Sequence, residues 1–161
     1  MRILGIDPGL EVCGYACLET DTAASNLAEA GVLRTERADP IEERLDRIAA
    51  DIESVLESFA PDVVAVEQLY SHYAHPRTAI LMAHARGVIL QKCAERRIEV
   101  KSFSATRIKK SLTGNGRASK QQVQRTIQTV LGLSEAPEPP DVADAIAAAL
   151  CCAGSMTSPV T

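Results

Sequence analysis

The run Arg2-Ile-Leu-Gly-Ile-Asp7-Pro-Gly-Leu10, followed by Cys13-Gly-Tyr-Ala-Cys-Leu-Glu19, decides how this 161-residue chain is read. Ile3, Leu4 and Ile6 form the short apolar run of a strand buried on both faces. Asp7 closes that run, and Pro8-Gly9 is a turn signal, because proline presets φ and glycine tolerates positive φ. A second strand-like run follows at once, as in a hairpin. A carboxylate therefore stands where a buried strand stops, which is a costly place for a charge that nothing binds.

Working outward, strands are expected at 2–7, 12–20 and 27–36. Asp39-Pro40 opens a helix to Phe59 whose apolar residues, from Ile41 and Leu45 to Leu56, make one stripe. Val63-Val64-Ala65-Val66 is a second short apolar strand, and it too ends in an acid, Glu67. A helix is expected over 77–97, a strand over 98–103 and a short helix over 105–111. Thr113-Gly-Asn-Gly-Arg117 is a loop, and Ser119-Lys-Gln-Gln122 reads as a capping box for a helix to Leu131. After the proline-rich stretch 134–140 comes an alanine-rich helix over 141–153, whose small side chains permit close approach to a sheet. The pattern is α/β: a hairpin-fed, five-stranded mixed sheet with helices on both faces. One domain over 1–154 and a loose tail over 155–161 are expected, in a chain that buries roughly 70% of the surface it would expose unfolded.

The chain has no run approaching a membrane span and no export signal at its start. Its five cysteines lie in apolar segments without zinc spacing, which points to reduced thiols in a cytoplasmic protein. The net charge of −4 conceals an asymmetry. Residues 1–85 carry 6 Lys+Arg against 15 Asp+Glu, whereas residues 86–125 carry 11 against 2. That second block is a candidate anion-binding face, since solvated faces normally mix signs. Within it Arg107, Lys109 and Lys110 surround a short helix, and Arg117 and Lys120 flank a glycine-containing loop that runs into a helix N-terminus.

Four acids invite comparison: Asp7, Glu67, Asp141 and Asp144. Singly, each has a plain reading. Asp7 can be a turn former, Glu67 the partner of an arginine, and Asp141 and Asp144 an N-cap and a first-turn acid. Together, with two at strand ends and two at a helix start, they form a set that suits Mg²⁺, which takes hard oxygen ligands and keeps several waters. Tyr70 and Tyr73 lie in the loop after Glu67, where aromatics can stack on an unpaired base or anchor the loop. His72 and His75 read as loop histidines without an assigned role, and the 77–97 helix, apolar nearly all round, suggests a second copy of the chain as partner.

The ordered set Ile-Leu-Gly-Ile-Asp7-Pro-Gly with Gly14-Tyr-Ala, Val-Ala-Val-Glu67-Gln, Ala85-Arg-Gly-Val-Ile, Lys120-Gln-Gln-Val and Pro140-Asp-Val-Ala-Asp144-Ala resembles the RuvC family of Holliday-junction resolvases over about residues 2–154. The resemblance implies an RNase H-like fold, a homodimer, and paired symmetric nicking of like-polarity strands at a four-way DNA junction, in homologous recombination and repair. It implies Asp7, Glu67, Asp141 and Asp144 as catalytic ligands of two Mg²⁺ ions per site, with Mn²⁺ as a substitute, and ends left as 5′-phosphate and 3′-hydroxyl. It implies Tyr70 as the stacking aromatic, Lys109 and Lys120 as DNA contacts beside Arg77, Lys110 and Arg117, and a RuvA-RuvB branch-migration complex as partner. Two departures are visible: Asp141 stands where some members have His, and Ser71-His-Tyr-Ala-His75 stands where members carry Lys, Asn or Arg. Rival readings are an actin-like nucleotide-binding ATPase, which needs a second phosphate loop that this chain lacks, and a non-catalytic DNA-binding dimer, against which the intact acid set argues.

Overall fold

Period-2 alternation along β1 (Arg2–Asp7) sorts its side chains into two cores. In the computed structural model, which describes residues 1–21, 24–69 and 76–157, Leu4 and Ile6 join one buried cluster and Ile3 joins the other. The same sorting holds in β2 (Val12–Thr20), where Cys13 and Cys17 face the first cluster and Ala16 and Leu18 the second. In β4 (Val63–Glu67), Val64 and Val66 oppose Val63 and Ala65. By this alternation Gly5, Asp7, Gly14 and Glu67 all belong to a single face of the sheet.

The sheet has the order β3-β2-β1-β4-β5, with β3 at Ser25–Arg34 and β5 at Glu99–Phe103. β1 pairs antiparallel with β2, bringing Asp7 opposite Gly14, and parallel with β4, bringing Ile6 opposite Val66. The two acid-ended strands are therefore neighbours, which puts Asp7 and Glu67 on one rim at the strands' carboxyl ends. β3 starts two residues earlier than the sequence suggests, because its pairing with β2 continues to Thr20–Ser25 through a register shift at Cys17/Leu18.

Helices cover both faces. α1 (Ile41–Phe59) and α2 (Pro76–Glu95) pack on the Leu4/Ile6 side, with Ile48, Ile52 and Leu56 meeting Ala85, Ile89 and Cys93. Arg96 and Lys92 bind Glu53 across this pair at 2.6 and 3.8 Å. α3 (Ala105–Thr113), α4 (Lys120–Leu131) and α5 (Pro140–Thr157) cover the Gly5/Asp7 side. The capping box of α4 forms as expected: Gln122 N–H donates to the Ser119 hydroxyl, and Ser119 N–H donates to the Gln122 side chain. α5 runs to Thr157, beyond the 153 expected, so residues 155–157 of the expected tail are helical. Among the described residues no helix is long and apolar enough to cross a membrane.

α5 lies unusually deep. Ala143, Ala145, Ala147, Ala148 and Ala149 are all buried with Ile146, so the helix has sheet on one side and α3 and α4 on the other. Its alanines suffice only because the strands beneath are equally lean. A Cβ built on Gly5 would collide with the Ala145 carbonyl oxygen and come within 2.9 Å of the Ala149 Cβ. Gly5→Ala is thus expected to push α5 off the sheet and to cost about 1–3 kcal/mol. Chemical denaturation checks this; an unchanged midpoint would show that the helix can shift freely.

Candidate functional site

The strand ends and the start of α5 assemble four partly buried carboxylates: Asp7 from β1, Glu67 from β4, and Asp141 and Asp144 from the first turn and a half of α5. Spacing by three residues keeps the two α5 acids on neighbouring faces. A second close approach seats them. Gly14, the register partner of Asp7, lies directly under Asp141, and a Cβ there would strike the Asp141 carbonyl. Gly14 thus lets the N-terminal end of α5 descend onto the strand next to Asp7.

The electrostatics follow from this crowding. Burial, then the charges of Asp144, Glu67 and Asp141, push the Asp7 carboxyl up to about 8, with Lys120 opposing. Burial and Asp144 push Glu67 upward, while Lys109 and Lys120 pull it down. Asp144 is raised by burial and by Asp141 against the same two lysines. Lys120 lies 3.7 Å from Asp144 and is largely exposed, so it screens the cluster without neutralising it. Among the described residues no three His, Cys, Asp or Glu side chains converge into a ready-made metal cage. The donor set still fits Mg²⁺: hard oxygens, excess negative charge, and a need for few protein ligands because the ion keeps waters.

The basic block divides in space. Lys109 on α3 and Lys120 at the start of α4 reach the acid cluster. Arg77, at the start of α2, lines a cleft that also contains Asp7 and Asp141. Lys110 and Arg117 are exposed, and the Arg117 N–H is held by the Asn115 side chain within the 113–117 loop. Tyr70, Tyr73, His72 and His75 lie outside the described residues.

One supporting residue escaped the sequence reading. Arg86 on α2 donates from Nε to the Glu67 carbonyl at 3.3 Å and from Nη2 to the Ser102 hydroxyl at 2.9 Å, tying together the ends of β4 and β5. Its signal was available: an arginine beside the buried Ala85 in a largely apolar helix. It anchors the backbone that presents Glu67.

Comparison with known proteins gives a consistent picture. The family model described as crossover junction endodeoxyribonuclease RuvC matches residues 3–152. A crossover junction endodeoxyribonuclease RuvC from Rhodopirellula baltica is 49% identical over 149 residues, covering 92% of this chain and 84% of the relative. Its counterpart in Heliobacterium modesticaldum is 40% identical over 157 residues, covering 98% and 96%. The solved structure of T. thermophilus RuvC in complex with Holliday junction substrate matches with a TM-score of 0.92 at 34% identity, covering 98% of this chain and 95% of that one.

A carboxyl raised to about 8 when folded keeps a proton that the unfolded chain releases near pH 4. Between those values the folded state binds more protons, so metal-free stability falls as pH rises. Asp7→Asn removes this penalty. In EDTA the variant is expected to be the more stable, by about 2 kcal/mol near pH 8, or roughly 4–8 °C, with the gap shrinking towards about pH 5. Mg²⁺ should narrow or reverse the difference by favouring the ionised wild type. Thermal unfolding across pH checks it, and a pH-independent gap contradicts the crowded-carboxylate description.

Proposed function

The chain belongs to the RuvC family of crossover junction endodeoxyribonucleases, and from that membership we propose how its own residues cut DNA. It is a nuclease with an RNase H-like fold that hydrolyses phosphodiester bonds to resolve four-way (Holliday) junctions. The observation that carries the mechanism is the meeting of four carboxylates from two strand ends and one helix start with two lysines from α3 and α4.

In this reading Asp7, Glu67, Asp141 and Asp144 would hold two divalent ions, Mg²⁺ or Mn²⁺. When bound, such ions supply activation of the attacking water and charge relief at the departing 3′ oxygen. Lys120 and Lys109 draw the scissile phosphate towards the acids, which would otherwise repel it. Arg86 fixes the main chain at Glu67, and the depth of α5 fixes Asp141 and Asp144, so the site is preorganised. No side chain acts as a nucleophile. With water as the nucleophile and the 3′ oxygen as the leaving group, the product ends are a 5′-phosphate and a 3′-hydroxyl.

The reading extends to partners. α2 exposes Ile80 on its outer side while Ala85, Ile89 and Cys93 are buried beneath, which suits packing against a second copy. A two-fold homodimer carries two equal sites for two equivalent strands. Tyr70 is assigned to stacking on an unpaired base, and Arg77, Lys110 and Arg117 to phosphates of the arms. The nuclease domain spans 1–154, and the protein works in the cytoplasm, in recombination and repair, alongside a RuvA-RuvB branch-migration complex.

A synthetic four-way junction tests this. With Mg²⁺ the wild type is expected to nick two like-polarity strands symmetrically and to leave linear duplex uncut. Asp7→Asn should keep binding and slow cleavage by roughly a thousandfold or more. Cleavage near the wild-type rate in that variant would remove Asp7 from the metal site.

A further inference from the structure

We propose that the cleft beside Asp7, on the α1 and α2 side of the sheet, is a second phosphate subsite in which Arg44 holds a backbone phosphate of the strand continuing past the scissile linkage. The proposal rests on the nuclease reading above. The cleft, of about 810 Å³, is lined by Asp7 and Asp141, by the 8–12 turn and by Arg37, Arg44 and Arg77. It is far larger than a metal ion requires and is continuous with the acid cluster. A strand bound at the acid cluster can therefore continue into it.

Arg44 is the unusual feature of this cleft. It stands three residues after Ile41 and four before Ile48, on the apolar stripe of α1, and is only 8% exposed. Its Nε donates to the Thr35 hydroxyl at 2.9 Å, and no carboxylate among the described residues forms an ion pair with it. Arg44 lines the cleft wall, and its largely buried side chain is fixed there through Nε. The remaining guanidinium N–H groups form the fork that suits a phosphate.

The neighbouring charges point the same way. Glu11 in the turn is taken by Arg37, at 2.7 Å. Asp7 and Asp141 belong to the catalytic end, leaving Asp39 as the remaining acid of the lining. α1 begins at the cleft without a side-chain cap, so the positive end of its dipole faces the same space. The first-turn acids Glu42 and Glu43 line a different cleft, on the other flank of Arg44.

Arg44 also supports the turn after Asp7, because Thr35, which it holds, donates its hydroxyl to the Leu10 carbonyl. A pure strut of this kind uses only Nε and would alter cleavage without altering how binding depends on salt. The two roles therefore separate in one experiment: junction affinity of the full-length protein in Ca²⁺, measured against NaCl. The wild type, Arg44→Gln and Arg44→Lys are compared on junctions carrying one neutral methylphosphonate at successive positions near the nick.

The expected result is a slope of log K against log salt lowered by about 1 in Arg44→Gln, with roughly tenfold weaker binding. One methylphosphonate beyond the scissile linkage should weaken the wild type by a similar factor and leave Arg44→Gln unaffected. Arg44→Lys should retain most of the slope. An unchanged slope in Arg44→Gln overturns the proposal in favour of the strut. Failure of both variants to fold also overturns it, because the fold itself would then be what holds the guanidinium. A wild type that binds no junction would instead remove the nuclease reading on which the proposal stands.

Discussion

The close approach of α5 to β1 and β2 is the constraint on which the rest of this molecule depends. Helices normally stand off a sheet by the depth of two layers of side chains. Here alanines on one surface meet Gly5, Gly14, Ala16 and Ala65 on the other, and the helix backbone sits almost against the strands. The contact gives up the large apolar side chains that would ordinarily stabilise such a packing. In return it brings Asp141 and Asp144, at the start of the helix, to the ends of the strands bearing Asp7 and Glu67. Shape, more than hydrophobic area, sets this arrangement, and close-packed interiors transmit a shift of one methyl group directly.

That approach creates an electrostatic problem which defines the site. Four carboxylates share a partly buried space, and burial is the largest cause of the upward shift at Asp7, Glu67 and Asp144 alike. Lysines from α3 and α4 relieve part of it. They come from the basic block that the overall charge of −4 conceals, while much of the acidic excess lies along α1 on the opposite face. The two faces thus carry different tasks. One carries the carboxylates with Lys109 and Lys120, and the other carries α1 and α2 packed on the Leu4/Ile6 side of the sheet.

Much of this was legible in the residues. The alternation in β1 and β4, the acids that end them, the proline before α5 and the capping box of α4 are local signals, and the resemblance to a known family tied them into one order. The sequence could not reveal side-chain placement that depends on tertiary contact. Gly14 was visible as part of a motif, but only the fold puts Asp141 above it. Arg86 was likewise visible as a letter between Ala85 and Gly87, without its bond to Glu67. Arg44 falls on the apolar stripe of its helix, but only the fold shows it bonded to Thr35. Lys109 and Lys120 were singled out from charge and resemblance, yet their separation from Lys110 and Arg117 arises from helix phase and loop geometry. β3 began earlier than expected because a register shift prolonged its pairing with β2.

If the seating of α5 creates the metal site, then a change that touches no ligand should weaken metal binding. Gly14→Ala is that change, since the added methyl displaces the main chain of Asp141 and substitutes none of the four carboxylates. Mn²⁺ binding to the DNA-free protein, followed by electron paramagnetic resonance, reads the effect directly. The account predicts a loss of roughly tenfold or more in affinity, comparable to losing a residue that orients metal ligands, in a variant that remains folded. Wild-type Mn²⁺ affinity in folded Gly14→Ala would contradict it.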